Sequence, residues 1–137
     1  MNSISIEFAR VHPALTKNGR RRNHWRTQRR ATREMREDAL FLILREITGD
    51  DNPQRLVGIT DIPLWESASI HIHHNWSNVP MDFDGLASSM APAIDAFIDC
   101  GVIEDDSPKF IVSYTMTSEK VSTRAQSGFI VTVQQES

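Results

Sequence analysis

The chain has 137 residues, room for one hydrophobic core of moderate size. Hydrophobic residues make up 39% and charged ones 24%, which excludes a disordered chain. The formal net charge of −3 conceals strong polarisation: residues 10–36 hold ten basic side chains and one acid, a net of +9, leaving −12 for the remainder. Such segregation points to a cationic surface for a polyanion, with carboxylates gathered elsewhere for another purpose. No apolar run approaches the roughly 20 residues of a membrane span, so no membrane partner is expected. The opening residues carry no apolar stretch of signal-peptide type, and Cys100 is the single cysteine. A disulfide framework within the chain and a zinc site built on several thiolates are therefore excluded, and a reducing, cytoplasmic setting is expected.

Ser3 to Phe8 alternates as a short strand. A loop from Arg10 to Asn23 follows, holding Pro13, Gly19 and the triplet Arg20-Arg21-Arg22. From about Arg26 to Ile47 the pattern is helical. At 100° per residue, Arg26, Arg29, Arg30, Arg33 and Arg36 share a stripe about 120° wide, with Met35 and Leu42 opposite. The run from Ala39 to Leu44 is apolar on all sides and is expected to be buried, and Gly49 closes the helix.

Asp50 to Pro63 reads as a loop and Trp65 to Trp76 as a strand. On that strand Ala68, Ile70 and Ile72 share one face and His71 and His73 the other. A second helix ends near Cys100-Gly101. Pro92 places its start near Ser89 or kinks it. Two alternating runs close the chain, Phe110 to Met116 and Phe129 to Val133, and a hairpin is their natural pairing. The order β-α-β-α-β-β predicts one α+β domain over residues 1–137, a mixed sheet with helices packed on it.

Four groups of residues carry candidate chemistry. Asp82 and Asp84, two apart in an extended segment, are able to bracket a divalent cation such as Mg²⁺. Their plainer reading is Asp84 as the N-cap of the second helix and Asp82 as a turn residue. Asp105-Asp106 is either turn chemistry or a second half of the same site, if both acidic pairs reach one sheet edge. His71, His73 and His74 lack further ligands at metal spacing, so they read as polar strand residues near the acids. Cys100 reads as a small core residue.

Arginine dominates the fourth group. Five arginines on one stripe, offset there only by Glu37, repel one another unless a phosphate backbone faces them. Arg20, Arg21, Arg22, Arg26, Arg29, Arg30 and Arg33 are the expected nucleic-acid contacts. Trp25 beside them either stacks on a base or simply packs.

The segment from Asp82-Phe83-Asp84-Gly85-Leu86 through Asp95-Ala96-Phe97 to Gly101-Val102 and Asp105-Asp106 resembles the RusA-like family of Holliday junction resolvases, small endonucleases common on phages and prophages. Asn23-His24-Trp25, followed by basic residues and a helix, is similar to its longer phage members. The resemblance covers most of the chain from Asn23 to about Tyr114. It implies a RusA-like fold, a homodimer, and Asp82, Asp84 and Asp106 as catalytic acids holding Mg²⁺ (or Mn²⁺). The expected activity is structure-selective endonuclease action on Holliday junctions or other branched double-stranded DNA in recombination and repair.

Two positions depart from the family pattern. Gly85 stands where asparagine is usual, and Ala91 or Ser88 stands where a catalytic lysine is expected. These departures motivate an alternative, a branched-DNA-binding protein that keeps the nuclease fold without cutting.

Overall fold

Strand β1, Ser3–Phe8, buries Ile4 and Ile6 and exposes Ser3, Ser5 and Glu7, as a period of two requires. The computed structural model describes this strand together with the rest of residues 1–16, 24–50 and 62–136. A single 3₁₀ turn, Pro13–Leu15, drops Ala14 and Leu15 into the core. Helix α1, Trp25–Thr48, opens with His24 as N-cap, whose Nδ1 accepts the Arg26 N–H at 3.1 Å. It closes at Gly49, whose φ of 72° lies in the left-handed region, and whose N–H reaches the Arg45 carbonyl at 2.8 Å.

The buried side of α1 is a narrow line of every fourth residue: Ala31, Met35, Ala39 and Ile43. The run from Ala39 to Leu44 is therefore not wholly buried. Leu40, Phe41, Leu42 and Leu44 keep partial exposure. Residues 100° apart cannot all face a single packed layer.

Strand β2, Ala68–Trp76, buries Ala68, Ile70, Ile72 and His74 on one face. Trp65, buried just before it, donates its N–H to the Val102 carbonyl at 2.8 Å. Helix α2 spans Phe83–Asp99 and so runs through Pro92 rather than starting near Ser89. Pro92 and its neighbours Ala93 and Ile94 are buried, and that burial offsets the hydrogen bond a proline cannot donate. Strands β3, Ile111–Lys120, and β4, Gly128–Gln135, complete the sheet, with a 3₁₀ turn Arg124–Gln126 between them.

The strand order is β1-β4-β2-β3. β3 runs parallel to β2, from Ala68↔Ile111 to Trp76↔Lys120, so α2 is a crossover between them. β4 is antiparallel to both β1 and β2 and sits between them. The expected hairpin of β3 with β4 is thus wrong: the two lie on opposite sides of β2. β4 buries Phe129, Val131 and Val133 and needs a neighbour on each side. β3 leaves Val112 and Tyr114 exposed and tolerates the sheet edge. The result is one small α+β domain, with Ile4, Ile6, Ile70, Ile72, Val131 and Val133 facing Met35, Ile43, Leu86, Met90 and Phe97 of the two helices. The opposite sheet face is polar, and Ser5 and Thr132 share a hydrogen bond across it at 2.7 Å.

Candidate nucleic-acid interface and acidic clusters

α1 buries only Ala31, Met35, Ala39 and Ile43 of its 24 residues, and most of its arginine side stays exposed. A cleft of about 770 Å³ runs along the arginine side, lined by Trp25, Arg26, Arg29, Arg30, Arg33 and Arg36 and closed by Asp99 of α2. Arg26, Arg29, Arg30 and Arg33 are all exposed, so four of the predicted DNA contacts share one surface. Arg20, Arg21 and Arg22 lie outside the described residues. Arg36 differs from the rest of the stripe. Its guanidinium forks onto the Asp99 carboxylate, with contacts of 2.7, 2.8 and 3.1 Å. That bridge anchors α1 to the end of α2.

Asp99 belongs to an acidic group that the motif search missed. Asp95 lies one turn earlier on α2, and its carboxyl is raised above the ordinary range by burial, with Asp106 and Asp99 adding repulsion against the pull of Arg36. Tyr114 also feels this group: although the residue as a whole is exposed, partial desolvation of its phenol, with repulsion from Asp106 second, pushes it up to about 12. The i,i+4 spacing of Asp95 and Asp99 was the available signal. Nothing in the sequence paired Arg36 with a residue 63 positions away.

Asp82 and Asp84 lie elsewhere. Asp82 is the N-cap of α2, its Oδ1 accepting the Gly85 N–H at 2.6 Å, and Asp84 sits in the first helical turn. The plainer reading placed the cap at Asp84, two residues too late. A side chain at Gly85 would bring its Cβ to 2.8 Å from that same Oδ1 and 3.1 Å from Met81 Cγ. Glycine therefore lets the Asp82 carboxylate close on the helix end, where an asparagine would push it aside.

The three acids do not meet within one chain. Val102 and Phe110 bond to Trp65 and Ala68, which holds the segment carrying Asp106 at the beginning of β2. Asp82 follows the end of β2, roughly 26 Å away along nine residues of strand. Among the described residues no three histidine, cysteine, aspartate or glutamate side chains gather as a metal site. Asp82 and Asp106 are thus carried at opposite ends of α2, and the two acidic pairs do not come to one sheet edge because β3 runs parallel to β2.

The histidines lie in the second half of β2. Thr117 Oγ1 lies 2.7 Å from His71 Nε2 and 2.6 Å from His73 Nδ1, on the open sheet face. His73 Nε2 in turn meets Asn75 Oδ1 at 2.8 Å. His74 points the other way. It is buried, stacked on Phe129 at 4.5 Å, and among the described residues its Nδ1 has no hydrogen-bond partner.

Burial, with His73 adding repulsion, lowers the His74 pKa below its ordinary 6.5. The unfolded chain then takes up the proton first, so this contribution to stability is present above pH 6.5 and is lost as pH falls below it. The expected slope is at most about 1.4 kcal/mol per pH unit. Urea midpoints measured across that range should fall in the wild type and fall less in His74→Phe. Parallel declines would remove His74 as the cause.

No protein-family model matches the chain, and no curated protein matches it. Among the described residues no helix is long and apolar enough to cross a membrane.

Proposed function

We propose that this chain binds branched double-stranded DNA through the arginine face of α1 and, as a pair of chains, cuts it as a Mg²⁺-dependent endonuclease of Holliday junction resolvase type. The observation that carries the reading is the cleft itself: four exposed arginines and a tryptophan on one helix face, with, among the described residues, a single ion pair at its far end. Phosphates are the partners such a face lacks, and contacts of this kind read the shape of DNA more than its sequence.

The separation of the acids sets the condition for cutting. Asp82 and Asp84 of one copy and Asp106 of a second copy are the ligands we assign to Mg²⁺ or Mn²⁺, since no single chain supplies all three together. A two-fold pair carries two such sets, as paired cuts on a four-way junction require. One observation favours the non-catalytic reading instead. The Asp82 carboxylate already has a structural task as the α2 cap.

The deciding experiment uses a labelled four-way junction in Mg²⁺, with EDTA as control, read by gel shift and denaturing gel. Asp82→Asn and Asp106→Asn are assayed alone and as a refolded mixture. Each alone should be inactive. Their mixture should regain single-strand nicking, because one of the two shared sites is then intact. Active wild type with an inactive mixture would place all three acids in one chain. A wild type that shifts the junction without cutting would leave a DNA-binding module.

A second expectation concerns the arginines alone. Replacing Arg29 and Arg33 with alanine should weaken junction binding and flatten its log–log salt slope by up to about one unit per lost phosphate contact. An unchanged slope would mean that the stripe is merely solvated.

A further inference from the structure

Trp25 is the only aromatic side chain lining the arginine cleft among the described residues. It leaves 52% of its surface exposed, an unusual position for an indole with a core available nearby. Its backbone is fixed as the first residue of α1, and the capping His24 ring lies 5.4 Å from its own. The guanidinium of Arg26 stands 5.3 Å from the ring centroid and that of Arg29 5.5 Å. The ring thus holds two mutually repelling cations, each a natural clamp for a phosphate.

When a polyanion enters the cleft, its phosphates are stronger partners for both guanidiniums than the ring face is. Arginines that turn toward phosphates uncover the indole between them. What then fits the vacated face is flat, apolar in its centre and attached to those phosphates: a nucleobase. Paired bases keep their faces inside the duplex stack, so the base concerned is unpaired, in a single strand or at a branch point. We infer that Trp25 is a stacking platform for an unpaired nucleobase, positioned through its flanking phosphates by Arg26 and Arg29. This inference rests on the reading of α1 as a nucleic-acid surface and is independent of whether the protein cuts.

The test titrates the full-length protein with single-stranded oligothymidylate and, separately, with inorganic polyphosphate, which offers phosphates without bases. Tryptophan emission and affinity are followed in wild type, Trp25→Phe and Trp25→Ala. Oligothymidylate should quench wild-type emission strongly, and both variants should lose that quench. Its affinity should fall about five- to hundredfold in Trp25→Ala and largely survive in Trp25→Phe, which keeps an aromatic face. Polyphosphate affinity should stay level in all three proteins, which also reports that the variants are folded. Oligothymidylate binding without quenching, and with equal affinity in Trp25→Ala, would overturn the platform and leave the arginine surface standing. Binding of neither polymer would overturn both. Junction cleavage, assayed separately, succeeds or fails without bearing on this result.

Discussion

Asp82→Asn should keep the stability of the fold within about 1 kcal/mol of wild type while lowering Mg²⁺-dependent junction cleavage at least about a hundredfold. The two effects separate because Asp82 has two roles to lose. Its Oδ1 accepts the Gly85 N–H at the start of α2, and asparagine caps a helix about as well as aspartate does. What asparagine cannot supply is the negative charge that a divalent cation demands. Asp82→Ala removes both and should cost a further 0.5–2 kcal/mol or so of stability. Denaturant midpoints and cleavage rates on the same preparations check this. Normal cleavage by Asp82→Asn would reduce the residue to a helix cap.

Phe97→Ala should destabilise the protein by about 3–5 kcal/mol, the range for emptying an aromatic from a packed core. Phe97 is fully buried near the last turn of α2, and its carbonyl accepts the Val102 N–H at 3.1 Å. A loss on that scale is about a third or more of a typical domain's stability. Asp95, Asp99 and the Arg36 bridge all sit at this end of the helix, so the variant should also loosen the floor of the arginine cleft. Phe97→Leu, which conserves more of the volume, should cost markedly less. Urea melts of the two variants decide it, and a cost below about 1 kcal/mol for Phe97→Ala would mean that α2 is held elsewhere.

Local chemistry made most of the elements readable. Ser3–Phe8 alternates cleanly, and Gly49 ends α1 where its conformational freedom is needed. The arginine stripe and the inward face of β2 follow from simple periodicity. Strand order did not follow, because β3 and β4 carry similar alternation and adjacency in sequence favoured pairing them. What decides between them is how many sides of each strand require cover, a property of the assembled sheet. The spacing between the two acidic pairs was hidden for the same reason. Each pair was visible, but the distance between the pairs depends on the direction of β3. Pro92 was read as marking either a late helix start or a kink, and a buried proline inside the helix is tolerated where the surrounding core holds the helix together.

β4 lies last among the described strands and yet occupies the interior of the sheet, where β1, near the other end of the sequence, pairs with it. During synthesis, β2, α2 and β3 are able to assemble as a crossover unit soon after they emerge. β1 must wait, its backbone groups unpaired, until more than a hundred further residues have been made. Closing so long a separation is slow, and the two open strand edges bordering that gap are where a half-made chain meets its neighbours. Pairing of β1 with the sheet therefore waits on the arrival of Gly128–Gln135, a segment that takes no part in either charged cluster.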